Sequence, residues 1–109
     1  MNSKPVEVLP AVAGDLKAAM AHYESWRIGG REYILQQYIE TVSWIAWNPG
    51  AFPRKIGPIQ RAILKQSYYM VYFIQDPKRS LVLAELDGRR NPEEIRGLVN
   101  FRRPGDGRP

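Results

Sequence analysis

The apolar pattern of this 109-residue chain changes near residue 58, and that change constrains the fold more than any other feature. Before it, apolar residues recur every three or four positions, which is the spacing of amphipathic helices. After it, they recur at every second position, which is the spacing of β-strands. Helices in one half and consecutive strands in the other predict a small two-layer α+β domain.

The helical half begins with a short strand over residues 5–9, in which two valines alternate with Glu7. Apolar stripes then predict one helix over residues 11–27 and a second over residues 31–47. Gly29-Gly30 separates the two helices, and so short a link predicts an antiparallel helical hairpin.

In the second half, residues 48–58 contain three prolines and two glycines, which predicts an ordered surface loop. Period-two segments then predict strands over residues 59–65, 68–75 and 80–87. With the N-terminal strand paired to its edge or inserted beside it, the sheet has three or four mainly antiparallel strands, and the hairpin covers one face.

The C-terminal residues are predicted to form a short helix start and then a flexible tail outside the domain. Asn91 and Pro92 indicate a short helix start, because asparagine is a good cap and proline suits the first helical position. We expect one domain over residues 1–97. The Arg-, Gly- and Pro-containing segment 98–109 predicts a basic, flexible tail.

Composition excludes several classes of protein. The chain has no Cys and one His, so it can form no disulfide, no thiolate metal centre and no multi-histidine site. It has no apolar run long enough for a signal peptide or a membrane span. We therefore expect a cytoplasmic protein with no metal, no cofactor and no membrane partner.

The net charge of +5 is concentrated in two segments. Residues 52–65 carry four basic residues and no acid, whereas residues 89–109 carry six arginines and three acids. Such blocks indicate an acidic or polyanionic partner. Charge that only keeps the protein in solution would give the same count, so both interpretations stay open.

Four landmarks occur in a fixed order between residues 6 and 92. They are Ala11, Asp15 and Leu16 at the first helix; Asn48-Pro49 with Phe52-Pro53; Arg61–Lys65 before Tyr69–Phe73; and Leu83–Pro92. In this order the sequence resembles the RelE/ParE superfamily of bacterial type II toxins, often labelled plasmid stabilisation proteins. The resemblance implies the same helical hairpin on a sheet.

The resemblance also implies a cognate antitoxin that keeps the toxin inactive, and a role in stress response. A ParE-like member would act on DNA gyrase, whereas a RelE-like member would cleave mRNA on the ribosome without a metal. A homodimer and a toxin–antitoxin hetero-oligomer are both compatible with it.

The basic segments, which coincide with the landmarks at Arg61–Lys65 and at Arg89-Arg90, make Arg54, Lys55, Arg61, Lys65, Arg89 and Arg90 the candidate antitoxin- or target-binding residues. RNA cleavage needs a proton acceptor, cations beside the phosphate and a proton donor. The candidates for that chemistry are Arg61, Lys65, Tyr69, Arg89 and Arg90, with Tyr68 as a second tyrosine.

Departures from the nuclease pattern favour the ParE-like function. Met70 stands where nuclease members often have arginine, and Asp87 where many have histidine. The only histidine, His22, is predicted to be a partly exposed residue of the first helix. A small basic nucleic-acid-binding module and a degenerate toxin that only binds its antitoxin are the remaining alternatives.

Several of these residues also have purely structural interpretations. Arg61 and Lys65 would border the sheet or pair with Glu85, and Tyr69 would pack in the core. Trp44 and Trp47 share one helix face, where core packing is expected. An exposed pair would instead indicate an antitoxin or self-association surface.

Overall fold

A computed structural model describes residues 3–104 of the chain. Its elements are β1 (Val6–Val8), α1 (Ala11–Trp26), α2 (Gly30–Trp47), β2 (Arg54–Ile56), β3 (Ile59–Ile63), β4 (Tyr69–Gln75), β5 (Ser80–Asp87) and α3 (Pro92–Arg102). A single 3₁₀ turn, Pro49–Ala51, follows α2. The predicted α+β architecture is confirmed.

The sheet has five strands in the order β1-β5-β4-β3-β2. β1 runs parallel to β5, and the remaining neighbours are antiparallel. The prediction of three or four strands missed β2, which lies inside the segment predicted to be a loop. Prolines flank β2 without interrupting it, and β2 is an edge strand, where neighbouring prolines are tolerated.

Two adjacent glycines make the tight turn between α1 and α2. Gly29 has a φ of +89°, in the left-handed region that glycine adopts at little cost. Gly30 is buried, and a Cβ at this position would overlap the backbone carbonyl of Tyr23. The hairpin can therefore pack α2 directly against the last turns of α1.

Apolar side chains form two cores on opposite faces of the sheet. The core under the hairpin contains Val12, Ile34, Ile45, Val71 and Phe73, among others. The core under α3 contains Ile59, Leu83, Leu86, Ile95 and Val99.

Helix α3 corrects the prediction of a flexible tail from residue 98. It continues to Arg102, and its Val99 is fully buried. Ile95 and Val99 are four residues apart on one helical face, and both are buried against β5. This burial stabilises a helix that is longer than the short helix start predicted from the sequence. The last residues of the predicted tail, 105–109, lie outside the described residues.

A β-bulge in β5 decides which side chains lie under the hairpin. Tyr72 pairs with Ala84 but Phe73 pairs with Val82, so Leu83 is an extra residue on β5. Because of this insertion, Leu83 and Ala84 both belong to the core under α3. Glu85 and Asp87 are consequently turned towards the hairpin.

None of the helices in residues 3–104 combines the length and the apolar content that crossing a bilayer would need.

Candidate functional site

The predicted site residues lie along one edge of the sheet and at one of its ends. Arg54, Lys55, Arg61 and Lys65 lie on or beside the β2–β3 edge of the sheet, and we call them the edge block. Tyr69 begins β4, and Arg89 and Arg90 follow β5, at the end of the sheet where Lys65 also lies: the Leu64 N–H donates to the Tyr69 carbonyl at 2.9 Å, and Tyr69 pairs with Asp87. Among the candidate nuclease residues, Arg61 is set apart, because it pairs with Tyr72 on the face that α3 covers, whereas Tyr69 belongs to the core under the hairpin.

The edge block carries cations that the protein itself does not neutralise. Within residues 3–104, none of its four side chains forms an ion pair with an Asp or Glu. Arg54 and Lys55 are exposed on β2. Gln60 holds the preceding loop in place by donating hydrogen bonds to the carbonyls of Pro49 and Phe52, both at 2.8 Å.

Arg61 is the half-buried member of the edge block. It pairs across the sheet with Tyr72, on the face that α3 covers. Burial raises the pKa of the Tyr72 phenol, and the nearby Arg61 guanidinium opposes that rise. Glu85 pairs with Val71 and faces the hairpin instead. The predicted alternative of a pair between Glu85 and Arg61 or Lys65 is therefore wrong.

Lys65 extends from the turn between β3 and β4. Its side chain is exposed, and its carbonyl accepts a hydrogen bond of 3.0 Å from the Tyr33 hydroxyl. The next residue, Gln66, has a φ of +55°, which is uncommon for a side chain other than glycine. This turn places Lys65 beside α2.

At the far end of β5, Asp87 and Arg89 form a two-point ion pair. Arg89 Nη2 lies 2.8 Å from Asp87 Oδ2, and Arg89 Nε lies 3.1 Å from Oδ1. The same guanidinium lies 3.9 Å from the centre of the Tyr68 ring, a cation–π contact. Asp87 and Tyr68 therefore fix the position of Arg89.

These contacts set the protonation states at the β5 end. The Arg89 hydrogen bonds lower the pKa of Asp87, which stays ionised. Burial raises the pKa of Tyr69, and the charge of Asp87 raises it further. Tyr69 is buried, as its structural interpretation predicted, and its phenol stays protonated at neutral pH. Tyr69 is thus better suited to donating a proton than to accepting one.

His22 lies closer to this end of the sheet than the sequence indicated. It is half-buried on α1, and its ring centre is 6.5 Å from that of Tyr69. Within the described chain, its buried Nε2 has no hydrogen-bond partner. Sequence separation hid this proximity, because α1 crosses over β5 only in the folded chain.

A small acidic cavity lies between α1 and β5. It has a volume of about 170 Å³, and Asp15, Tyr69, Glu85, Asp87 and Arg90 line it. Asp15 accepts hydrogen bonds from the Arg102 guanidinium and from the Glu85 backbone N–H. Nothing in the sequence singled out Glu85 as a site residue.

The outer face of α2 exposes large apolar side chains, which we call the α2 apolar surface: Ile39, Trp44 and Trp47. The two tryptophans are 53% and 51% exposed, and their ring centres are 5.6 Å apart. The expectation that they pack in the core is wrong, because α2 has only one sheet to cover. A groove of about 720 Å³ runs along this surface.

The α2 apolar surface is continuous with the edge block. A second groove, of about 160 Å³, is lined by Glu40 and Trp44 on α2 and by Ile63 and Lys65 beside β3. Apolar area and unpaired cations therefore adjoin on one side of the molecule.

Comparison with known proteins identifies the fold. No protein-family model and no curated protein sequence matches the chain. A solved structure described as "Chromosomal ParDE TA system from P. aeruginosa" matches with a TM-score of 0.63 and 19% sequence identity, over 77% of this chain and 95% of the other. At this identity the likeness shows a shared fold. The fold implied by the sequence landmarks is thus confirmed.

Proposed function

We propose that the chain is the toxin of a type II toxin–antitoxin system and that it inhibits DNA gyrase in the manner of ParE. The observation that carries this proposal is the fold match to the ParDE system, which spans nearly all of the matched chain. The ordered landmarks between residues 6 and 92 support it independently.

The placement of the candidate catalytic residues favours an inhibitor over a nuclease. Cleavage requires cations and a proton donor around one phosphate. Here Arg61 and Tyr69 lie on opposite faces of the sheet, since Arg61 pairs with Tyr72 and Tyr69 belongs to the hairpin core. Arg89 is neutralised by Asp87, a carboxylate that would repel a phosphate.

In this proposal the antitoxin covers the α2 apolar surface and the edge block together. A segment that matches both would be amphipathic, with apolar side chains over Trp44 and Trp47 and acidic side chains near Lys65. Disordered acidic segments that fold on binding have this character. Arg54, Lys55 and Arg61 extend the same basic edge, whereas Arg89 and Arg90 follow β5, two strands away from β3.

The proposal is tested by expressing the chain in bacteria from a tightly controlled promoter. We expect growth arrest with filamentous cells, rescue by the small reading frame adjacent to the gene, and inhibition of supercoiling by purified gyrase. An unimpaired culture with no complex between the two gene products would contradict the toxin proposal. Complex formation without growth arrest would identify a toxin that only binds its antitoxin.

The antitoxin surface has a matched control. Trp44→Ser with Trp47→Ser should abolish rescue and weaken the complex at least about tenfold, because buried tryptophans dominate interface energies. Phe101→Ser is the control, since Phe101 is also exposed, at 86%, but lies on α3. Equal effects of the two variants would contradict the assignment of the surface.

One observation favours a RelE-like nuclease as the second candidate. His22 lies beside Tyr69, close to the Asp87–Arg89 pair, and could move a proton there. Translation-dependent cleavage of a reporter mRNA that is lost in His22→Ala and Arg89→Ala would establish this function. Direct binding of free nucleic acid, without effect on gyrase or translation, would indicate the basic module instead.

A further inference from the structure

The turn end of the helical hairpin carries an aromatic pocket that the proposed function does not use. This hairpin-end pocket has a volume of about 230 Å³, and its lining residues are Tyr23, Trp26, Arg27, Tyr33 and Gln66. They come from the end of α1, the first turn of α2 and the turn between β3 and β4. Pockets for drug-sized ligands measure roughly 300–1,000 Å³, so this smaller one suits a single flat ring system.

Three of the lining side chains are aromatic, and two of their rings lie nearly parallel to the third. The Tyr23 ring centre is 5.5 Å from that of Trp26, with 29° between the planes, and 6.4 Å from that of Tyr33, with 23°. Tyr23 is buried, whereas Trp26 is 58% exposed although its ring also packs against His22, with 5.1 Å between ring centres. Trp26 thus offers a ligand a flat apolar surface whose orientation is already fixed.

The polar groups at the pocket are positive or neutral. The Arg27 guanidinium lies 5.1 Å from the centre of the Tyr33 ring, and within residues 3–104 it forms no ion pair. Gln66 brings an amide, which has both donors and an acceptor, and its φ of +55° is the kind of backbone strain that occurs at ligand sites. Lys65, exposed and also without an acidic partner among the described residues, precedes Gln66 in the same turn.

This combination selects a planar ligand that carries negative charge. None of the five lining residues is acidic, and Arg27 repels a cation, which excludes the ammonium groups that aromatic cages bind. A guanidinium binds phosphate oxygens at two points, and an amide side chain can form two hydrogen bonds with the edge of a base. A nucleotide has the flat ring, the polar edge and the phosphate. The aromatic side chains of a protein have only the ring.

We propose that the hairpin-end pocket binds a nucleotide, with its base stacked on Trp26, the edge of the base at the Gln66 amide and its phosphate at the Arg27 guanidinium. The nucleotide is either free or part of a single strand of nucleic acid, in which case Lys65 is placed to meet a neighbouring phosphate. The site stands on these side chains alone and does not depend on the toxin proposal.

The first experiment uses Trp26 as the reporter. The chain has three tryptophans, so Trp44→Phe with Trp47→Phe leaves Trp26 as the only one. Adenosine monophosphate should quench its fluorescence saturably, adenosine should do so more weakly, and ribose 5-phosphate should have no effect. Absence of saturable quenching by the nucleotide, or an equal response to ribose 5-phosphate, would overturn the proposal. Tighter binding of an Asp-Phe-Asp peptide than of the nucleotide would also overturn it and indicate a protein ligand.

The second experiment tests stacking by calorimetry with adenosine monophosphate. Trp26→Ala should weaken binding at least about fivefold, the lower end of the effect of removing a ring that stacks on a base. Trp26→Phe keeps a flat ring at the same position and should retain most of the affinity. Phe101→Ala is the control, because Phe101 is 86% exposed on α3, and it should have no effect. Equal affinities of Trp26→Ala and Phe101→Ala would contradict the stacking.

The third experiment tests the phosphate contact. Arg27→Gln should weaken binding of adenosine monophosphate at least about threefold, as expected for an exposed charge pair, and leave adenosine binding unchanged. Arg27→Lys keeps the charge and should lie between Arg27→Gln and the wild type. An equal loss for the nucleotide and the nucleoside in Arg27→Gln would contradict the assignment of the phosphate to Arg27.

The last comparison distinguishes the two sources of the nucleotide. A short single strand of oligoadenylate that binds at least about tenfold more tightly than the monophosphate, with a steeper salt dependence, would identify a nucleic acid strand as the ligand. Equal affinities would identify a free nucleotide. Growth arrest, gyrase and the antitoxin do not enter these measurements, so the nucleotide site and the toxin proposal can fail independently.

Discussion

The two basic regions of the molecule use their charges differently. In the edge block, none of the four cations forms an ion pair within the described residues. In the C-terminal block of Arg89, Arg90, Arg96, Arg102 and Arg103, four of the five arginines do. Charge counts from sequence treat the two regions alike. Of these two regions, the edge block presents the larger set of cations without an acidic partner, whereas most arginines of the C-terminal block are paired with the protein's own acids.

Arg102 is the strongest test of that difference, because its partner is buried. The Arg102 and Asp15 side chains are 15% and 10% exposed, and Arg102 also donates to the Leu83 carbonyl at 3.1 Å. Arg102→Leu leaves Asp15 as an uncompensated buried charge, which we expect to cost about 3–5 kcal/mol of unfolding free energy. Urea denaturation at pH 7 measures it.

Arg96→Leu is the matched control for Arg102→Leu. Arg96 pairs with Glu93 on the same helix, but the two side chains are 51% and 80% exposed. Exposed pairs contribute at most about 1 kcal/mol. Similar losses in the two variants would show that the C-terminal block has no special structural role, and the comparison with the edge block would fail.

The next prediction concerns Glu85, the buried acid that the arginines of the C-terminal block leave unpaired. The raised pKa, about 8, means that the folded chain holds a proton that the unfolded chain releases near pH 4.5. Wild-type stability should therefore fall as the pH rises from 4.5 through 8. Glu85→Gln removes this loss, and each pKa unit corresponds to about 1.4 kcal/mol.

The measurement is a pair of denaturation series at pH 5 and pH 9. The wild type and Glu85→Gln should be alike at pH 5, and the variant should be more stable by a few kcal/mol at pH 9. Parallel curves at both pH values would mean that Glu85 is ionised in the fold at neutral pH, with a partner that the contacts described above do not include.

The sequence predicted the hairpin and the three long strands well, because each has a clean apolar period over many residues. Strand β5 was located over residues 80–87, the bounds that it has in the fold. Which of its side chains face the hairpin was not predictable from the sequence. The extra residue Leu83 shifts the in–out alternation of side chains by one position and turns Glu85 towards the hairpin. A bulge depends on packing against both cores and leaves no signal in a period-two pattern.

The site was harder to predict than the fold for a related reason. Distance along the chain separated His22 from Tyr69, and Asp15 from Arg102, yet each pair meets where α1 crosses β5. Likewise, the spacing of the two tryptophans on α2 is also typical of core residues. Their exposure follows from the number of layers in the fold, which the spacing does not indicate. The sequence shows how many basic residues each segment contains, but it does not show which of them pair with acids in the fold.

Charge neutralisation compares the two basic regions directly. Arg54→Gln with Lys55→Gln should weaken binding to a polyglutamate probe about three- to tenfold and reduce the salt dependence, since these cations are exposed and unpaired. Arg89→Gln with Arg90→Gln removes the same charge from the C-terminal block and should have less than half the effect on affinity. Fluorescence anisotropy over a salt series measures both, and the reverse order would contradict the comparison.

The smallest expected effect concerns the turn that presents Lys65. Gln66 has a φ of +55°, where a side chain is strained and glycine is not. Gln66→Gly should raise the unfolding free energy by roughly 0.5 kcal/mol, because relief of that strain outweighs the added freedom of the unfolded chain. The Tyr33 hydroxyl would still donate to the Lys65 carbonyl, so Lys65 should stay in place and polyglutamate affinity should not change. A stability gain accompanied by a loss of affinity would show that the strained turn, and not only the free charge, defines the edge block as a binding surface.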